Sequence, residues 1–379
     1  MASLRTQRGR LSHFHPQLPS LTLTSRLQHP LHNQLHLRYA SHSGKSHARP
    51  SSSAQPTEKR VPSVTSTSTN PAADDINPPP STRPATLDLP DSLPSDAAAA
   101  LKIKRYVALG RAFLSFYKTG LKNVYHNYRT SLPIRRSLGI PSYLPTSPPP
   151  HLFLSKANNS NKSQKLKHDE LRATRSTFQL LNRAAYDVRR MIPFTLILIL
   201  CGELTPLAVL FFGNAVTPYT CRVPKQIEKY RDQRINAKRS ALSAHSAAEN
   251  GSITPAGTGS DKELEILSRF AEQGWVDNKA SETEILRACA VFGLAKTHAR
   301  PGVLVGLLYR RRLRAYAEYL GLDDRLIRKC GGVSAMEGVE VRVAVEERAG
   351  HGVALGKEGW EAERVERRWL EKWLERRSE

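Results

Sequence analysis

The chain has 379 residues, is 39% hydrophobic, and carries 57 Lys and Arg against 34 Asp and Glu, a formal net charge of +23. A balance that basic calls for an anionic partner (nucleic acid, an RNA-rich particle or an anionic membrane surface), although part of it can be an address signal. The four cysteines (Cys201, Cys221, Cys289 and Cys330) form no C-x-x-C pair and no zinc-type Cys/His spacing. No Gly-rich phosphate loop, G-x-S-x-G or H-E-x-x-H occurs, so neither metal, cofactor nor catalytic set is expected and the chain reads as a non-enzyme.

The first acidic residue is Glu58, and seven Lys or Arg precede it among many Ser, Thr and Leu. That is the composition of a mitochondrial transit peptide, assigned to residues 1–40. Residues 41–95 are rich in Ser, Thr and Pro and poor in aromatics, and are expected to be disordered. Over 96–129 the pattern changes. Asp96 is placed to cap a helix, Tyr106, Leu109, Phe113, Phe116 and Tyr117 recur at helical spacing, and Lys102, Lys104, Arg105, Arg111 and Lys118 add charge. This predicts a basic amphipathic helix that either lies on an anionic membrane face or packs on its own protein. Residues 130–165, with Pro148-Pro149-Pro150 and Asn158-Asn159-Ser160-Asn161, read as a linker.

A juxtamembrane helix is expected over 166–191, where Leu171, Thr174, Phe178, Leu181, Ala185 and Val188 alternate steps of three and four. It feeds into the segment 192–218, and residues 191–217 contain one ionisable side chain, Glu203. About 20 apolar residues suffice to span a bilayer core, so the segment predicts a single transmembrane helix. Pro193 suits its first turn and Pro206 should kink it. An acid near the bilayer centre costs on the order of 3 kcal/mol, so Glu203 is expected to be protonated, paired or in an aqueous cavity. It is either a proton or cation ligand or a neutral acid joining two helices. One span cannot enclose a polar path, so a transport role requires a homo-oligomer through this helix or partner helices. Five arginines precede the span and seven basic residues, Arg222 to Arg239, follow it. That bias places the C-terminal side in the matrix. Residues 219–260 read as a basic segment and an Ala/Ser/Gly-rich flexible linker.

A helical domain is expected over 261–379. Ser281-Glu282-Thr283-Glu284 forms a capping box. A central helix from about Gly302 to Leu320 has Val305, Tyr309, Leu313, Tyr316, Ala317 and Leu320 as its apolar stripe. Asp323 and Asp324 are read as the start of a further short helix, and Ser334-Ala335-Met336-Glu337 as another capping box. Val339, Val341, Val343 and Val345 alternate as in a strand, but the preceding box favours helix. Residues 285–330 hold ten basic and three acidic residues. Their arginines are either a solvated face paired with Glu318, Asp323 and Asp324 or contacts for RNA phosphates.

Two stretches carry a family likeness. Asp187-Val188-Arg189-Arg190-Met191-Ile192-Pro193-Phe194, followed by Glu203, Pro206 and Phe212-Gly213-Asn214, resembles the membrane region of the LETM family, the leucine-zipper and EF-hand-containing transmembrane proteins of mitochondria. Leu304 to Leu320, then Leu322-Asp323-Asp324-Arg325-Leu326-Ile327-Arg328, Gly331-Gly332-Val333 and Glu346-Glu347-Arg348, looks like that family's ribosome-binding domain, a 14-3-3-like helical module. No D-x-[DN]-x-[DN]-G loop occurs, so EF-hand calcium sensing is not expected. The resemblance implies an all-α inner-membrane protein whose matrix domain binds the mitochondrial ribosome, through rRNA or ribosomal proteins, and supports membrane-protein biogenesis and ion homeostasis. It makes Arg310, Arg311, Arg312, Arg314, Arg325 and Arg328 the candidate ribosome contacts. The basic stretch Arg222–Arg239 either adds contacts or holds anionic lipid, which makes inner-membrane lipids a second expected partner. The alternative it implies is an oligomeric cation/proton antiporter component using Glu203.

Overall fold

The computed structural model describes residues 71–94, 98–142, 146–153, 173–201, 217–251, 254–303 and 305–378. Within them every regular element is a helix or a single helical turn, and no strand forms among the described residues. The chain is therefore all-α, as its periodicity predicts.

A short helix, α1 (Pro71–Ile76), and a 3-10 turn, Pro80–Thr82, fall inside the stretch 41–95 expected to be disordered. The composition of this stretch cannot stabilise it alone. It is held by others: Ile76 is fully buried in the main core, and Asn77 both donates to the Ala335 carbonyl at 3.1 Å and accepts from the Glu337 amide at 2.8 Å.

Helix α2 (Ala99–Ser137) is longer than the predicted 96–129 and takes up the first part of the expected linker, running through Pro133. Asp96, the expected cap, lies outside the described residues; Ala98 is the capping position and makes no side-chain cap bond. The reversal beyond α2 is held by Arg135, buried, which donates to the carbonyls of Pro141 (2.9 Å) and Thr146 (2.8 Å). A turn at Pro150–Phe153 then buries Phe153 completely, so residues 130–142 and 146–153 of the expected linker pack on the rest of the chain.

Helix α3 (Arg175–Cys201) is capped by Thr174, whose hydroxyl accepts from the Thr177 amide at 3.3 Å. It passes unbroken from the juxtamembrane stretch into the apolar segment, with Pro193 inside it and not in a first turn. No helix among the described residues is long and apolar enough to cross a membrane. The expected span at 192–218 is described only to Cys201 and from Thr217, and its residues 202–216, Glu203 and Pro206 among them, lie outside the described residues.

Beyond the Tyr219–Cys221 turn comes α4 (Pro224–Asn250), with Pro at its first position and Gly251 in the left-handed conformation (φ 66°) after its end. The expected flexible linker at 240–250 is thus the last three turns of a helix. Its Ala/Ser content lets it pack closely: Ala241, Leu242 and His245 are buried, and α4 lies along α6 (Glu282–Val291). Helix α5 (Asp261–Phe270) starts at Ser260, which accepts from Glu263 N at 3.2 Å, and α6 opens on the predicted capping box of Ser281 and Glu284.

A π-helical turn, Val305–Tyr309, leads directly into α7 (Arg310–Lys329). Asp323 and Asp324 do not open a separate helix; they sit inside α7, buried, because arginines from other elements neutralise them. The box predicted at Ser334–Glu337 is not formed either: α8 (Gly338–Glu347) begins after Glu337 with no side-chain cap bond. The alternating valines are helical. Val341 and Val345, four apart, face the core with Ala344, while Val339 is exposed. Helix α9 (Gly359–Arg376) buries Trp369, Leu370, Trp373 and Leu374.

The core runs from Ile76 through α4 to α9. All of the buried residues in this core except Ile76, Ala241 and Leu242 come from residues 261–379. A second cluster of Phe153, Phe178, Leu181, Leu322 and Leu326 fastens α3 to α7.

Candidate functional surfaces and the α3 mount

Arg175, Lys238 and Arg348 are buried among α3, α4 and the C-terminal helices, and a buried charge survives only when paired and hydrogen-bonded. Arg175 is fully buried; it donates to Asp323 at 3.0 Å and to the Ile76 carbonyl at 3.0 Å. Gln179, one turn on, donates to the same Asp323 oxygen at 2.8 Å. From the opposite side Arg348 reaches Asp323 at 2.8 Å and Asp324 at 2.6 Å, while Trp373 (3.2 Å) and Arg377 (2.9 Å) also donate to Asp324. Arg183 binds Glu340 with both Nη atoms, at 2.9 and 2.8 Å. Burial alone would raise Asp323, but Arg175 and Arg348 hold it down at about 2. These pairs join α3 to α7, α8 and α9. They involve no residue singled out from the sequence as a contact. The available signal was Arg175, Gln179 and Arg183 at four-residue steps, next to the apolar face of α3.

At the other end of α3 the two flanks of the apolar segment lie together, which corrects the expected single crossing: a helix spanning a bilayer core once would hold them about 30 Å apart. Asp187, 2% exposed, accepts from the Tyr219 amide at 2.7 Å and so ties the returning chain to the departing helix. Burial pushes its carboxyl up to about 6, against the hydrogen bonds from Tyr219 and Thr220 and the charge of Arg222. Beside it Arg222 donates to the Tyr186 hydroxyl at 2.7 Å and lies 5.6 Å from the ring centres of both Tyr219 and Tyr230. Arg190 stacks on Tyr186 at 4.4 Å. Tyrosines and arginines gathered at one level are the chemistry of a membrane–water interface. Past this level α3 becomes apolar and uncovered: Ile192, Leu196, Ile199 and Leu200 are all exposed, the last two by about three quarters (74% and 75%).

Helix α2 runs antiparallel to α3. Its Ile134 and Leu138 pack against the cluster holding Phe178 and Leu181, whereas Gly120 meets Thr220 and Cys221 at the Asp187 level. A β-carbon at Gly120 would stand 2.8 Å from Cys221 Sγ, so only glycine admits this approach. The first half of α2 therefore lies on the same side as the apolar end of α3.

The six arginines singled out on α7 divide into two groups. Arg310 donates to the carbonyls of Val276 and Ala280, Arg314 pairs with Asp277, and Arg328 donates to the Leu374 carbonyl at 2.6 Å. These bonds fix the π-helical turn Trp275–Lys279 and the end of α9. Arg311, Arg312 and Arg325 are exposed, and none is ion-paired among the described residues. Neither Asp323 nor Asp324 pairs with these α7 arginines. Lys296 and Arg300, exposed in the loop before the π-helical Val305–Tyr309 turn, extend the basic sequence here. No group of three or more His, Cys, Asp or Glu is placed to hold a metal among the described residues.

An all-α body with a basic outer helix is the class of structure these features define among the described residues. A family model described as the pentamidine resistance factor domain (PNT1) matches residues 101–281, just under half of the chain, from the start of α2 to the cap of α6. The chain is similar to that family over these elements, and the match stops before α7. It is a different family from the LETM proteins that the sequence resembles. No curated protein and no solved structure matches the chain.

Proposed function

We propose that the protein is a mitochondrial inner-membrane adaptor, anchored by the apolar segment 192–218, whose helical domain on the matrix side binds the mitochondrial ribosome and supports insertion of newly made membrane proteins. The segment inserts from one face, since its flanks Asp187 and Tyr219 are hydrogen-bonded to each other. The observation that carries this reading is the continuity of α3. One helix runs from the buried Arg175–Asp323 pair, through the Tyr/Arg level at Asp187, to the exposed apolar side chains at Ile199 and Leu200. A domain mounted in that way moves with its anchor. The acid-free basic N-terminal stretch supports the mitochondrial address.

The LETM resemblance supplies the partner and the 14-3-3-like description of the domain. The exposed arginines of α7 supply chemistry suited to RNA phosphate. Arg311 and Arg325, fourteen residues apart, fall within about 40° of one line along the helix, and Arg312 lies about 100° round the helix from Arg311. Arg310, Arg314 and Arg328 support this surface from within through the bonds described above.

The test is salt-dependent co-sedimentation of the detergent-solubilised full chain with mitochondrial ribosomes. Combined Arg311→Glu, Arg312→Glu and Arg325→Glu should weaken binding by at least about tenfold and flatten its dependence on salt, because released counterions set that slope. Unchanged binding by a folded triple variant would rule the surface out as the ribosome contact.

A further inference from the structure

We infer that the exposed side of α2 is a second lipid-binding element, one that docks on an anionic bilayer surface next to the point where α3 enters the membrane. The inference rests on the proposed insertion of 192–218, and it assigns to α2 a role that the anchor does not need.

Helix α2 carries nine Lys and Arg and not one Asp or Glu over its whole length. Its side chains sort into three stripes. Phe116, Gly120, Val124, Asn127, Ser131 and Arg135 are buried and face the protein. Ile103, Val107, Leu114 and Tyr125, separated by four, seven and eleven residues, are all at least half exposed (63%, 50%, 70% and 62%). Those separations return to nearly the same azimuth on a helix of 3.6 residues per turn, so the four form one uncovered apolar line about 33 Å long. Lys104, Arg111, Lys118, Lys122 and Arg129, separated by seven, seven, four and seven, form a second line directly beside it, and all five are exposed. None of them forms an ion pair among the described residues; Arg129 instead donates to the hydroxyl of Tyr125 at 3.2 Å.

An apolar line flanked by an unneutralised cationic line fits a surface that is apolar below and anionic above, as a bilayer with acidic headgroups is. RNA would use the cations and leave four large apolar side chains in water. A partner helix would bury the apolar line and would have to supply acids to every turn of the other. The antiparallel pairing decides between them. It sets this first half of α2 beside the part of α3 where Ile192, Leu196, Ile199 and Leu200 are uncovered, so the two apolar surfaces meet the same phase.

The experiment places a genetically encoded environment-sensitive fluorescent amino acid in the full chain at one position at a time: Val107, Leu114, Ile199, or Thr119, which is exposed on a different side of α2. Each protein is reconstituted into vesicles of phosphatidylcholine alone or with an equal mass of phosphatidylglycerol, and quenching by spin-labelled lipid is compared with quenching by aqueous iodide. At Val107 and Leu114 a blue shift and lipid quenching approaching that at Ile199 are expected, only with phosphatidylglycerol present, while Thr119 stays iodide-accessible. Combined Lys104→Glu, Arg111→Glu, Lys118→Glu and Lys122→Glu should abolish most of that quenching and leave Ile199 unchanged. Iodide access at Val107 and Leu114 in both lipids, with Ile199 still lipid-quenched, overturns the inference and leaves the anchor standing. Loss of lipid quenching at Ile199 as well removes the anchor and the inference together. Quenching that is indifferent to phosphatidylglycerol, or protection of Val107 by added RNA in place of lipid, also overturns it.

Discussion

Helices α2 and α7 are both strongly basic, yet they spend their charge in opposite directions. Three of the arginines of α7 are turned to carbonyls or a carboxylate of neighbouring elements, and its two central acids are enclosed by Arg175, Arg348 and Arg377. Helix α2 has no acid at all, buries one arginine, Arg135, against carbonyls, and sets five cations in one exposed line. A count of Lys and Arg ranks the two helices alike. What separates them is which charges already have partners, and that quantity distinguishes a charge that holds the fold together from one that remains to bind something else.

The contrast breaks most severely if the acids inside α7 are not structural. Removing one partner of a buried pair leaves the other charge uncompensated, at a cost of about 3–5 kcal/mol. Arg348→Ala, which strips the fully buried Asp323 and Asp324 of a shared partner, should therefore shift the denaturant midpoint of the detergent-solubilised chain by an amount of that order. A loss below about 1 kcal/mol, the range of surface pairs, would show that the lattice contributes no more than exposed charges do.

A second difference is in pH response. Asp323, held at about 2, lies below the ordinary carboxylate value of 3.8; its stabilisation is complete above that value and is lost as pH falls toward about 2. Asp187, raised to about 6, has the opposite sign. Its folded form prefers the proton, so its contribution is fully present below 3.8 and is lost as pH rises through about 6. At about 1.4 kcal/mol per unit the raised value corresponds to roughly 3 kcal/mol. Measured between about pH 4 and 7, the stability of the parent protein relative to Asp187→Asn should fall by up to roughly 3 kcal/mol as pH rises, on top of a background shared by both from other titrating groups such as His351, which burial keeps neutral. An identical slope in both would mean that Asp187 is not the titrating group.

How much of this was legible in the sequence follows the same division. Periodicity located α2, α3 and α7, and the Ser281–Glu284 box located the start of α6, because those signals are local to a few turns. The alternation of Val339 to Val345 was resolved correctly as helix, since Val341 and Val345 serve equally well as a buried i, i+4 pair. What could not be read were features whose cause lies elsewhere in the chain. Residues 71–83 fold because Ile76 and Asn77 find sites on other elements. The Ala/Ser run after Ser240 is rigid because α6 lies against it. Asp323 and Asp324 resemble a helix start until Arg175, 148 residues away from Asp323, is seen to neutralise the first of them. For the candidate contacts, the sequence supplied six arginines of equal standing, and only their partners divide them.

That division has the smallest expected effect and the sharpest one. A charged hydrogen bond to a carbonyl contributes about 1.5–3 kcal/mol, and a solvent-facing substitution usually stays within about 0.5 kcal/mol. Arg310→Ala, losing two carbonyl contacts at Val276 and Ala280, should destabilise the chain by about 2 kcal/mol. Arg311→Ala, the next residue and an exposed one, should leave stability within about 0.5 kcal/mol, and so should Lys118→Ala and Lys122→Ala on α2. Thermal unfolding of the four single variants side by side checks this directly. Equal losses for Arg310→Ala and Arg311→Ala would mean that adjacent arginines on α7 are equivalent after all, and with that the distinction between partnered and free charge would lose its physical basis.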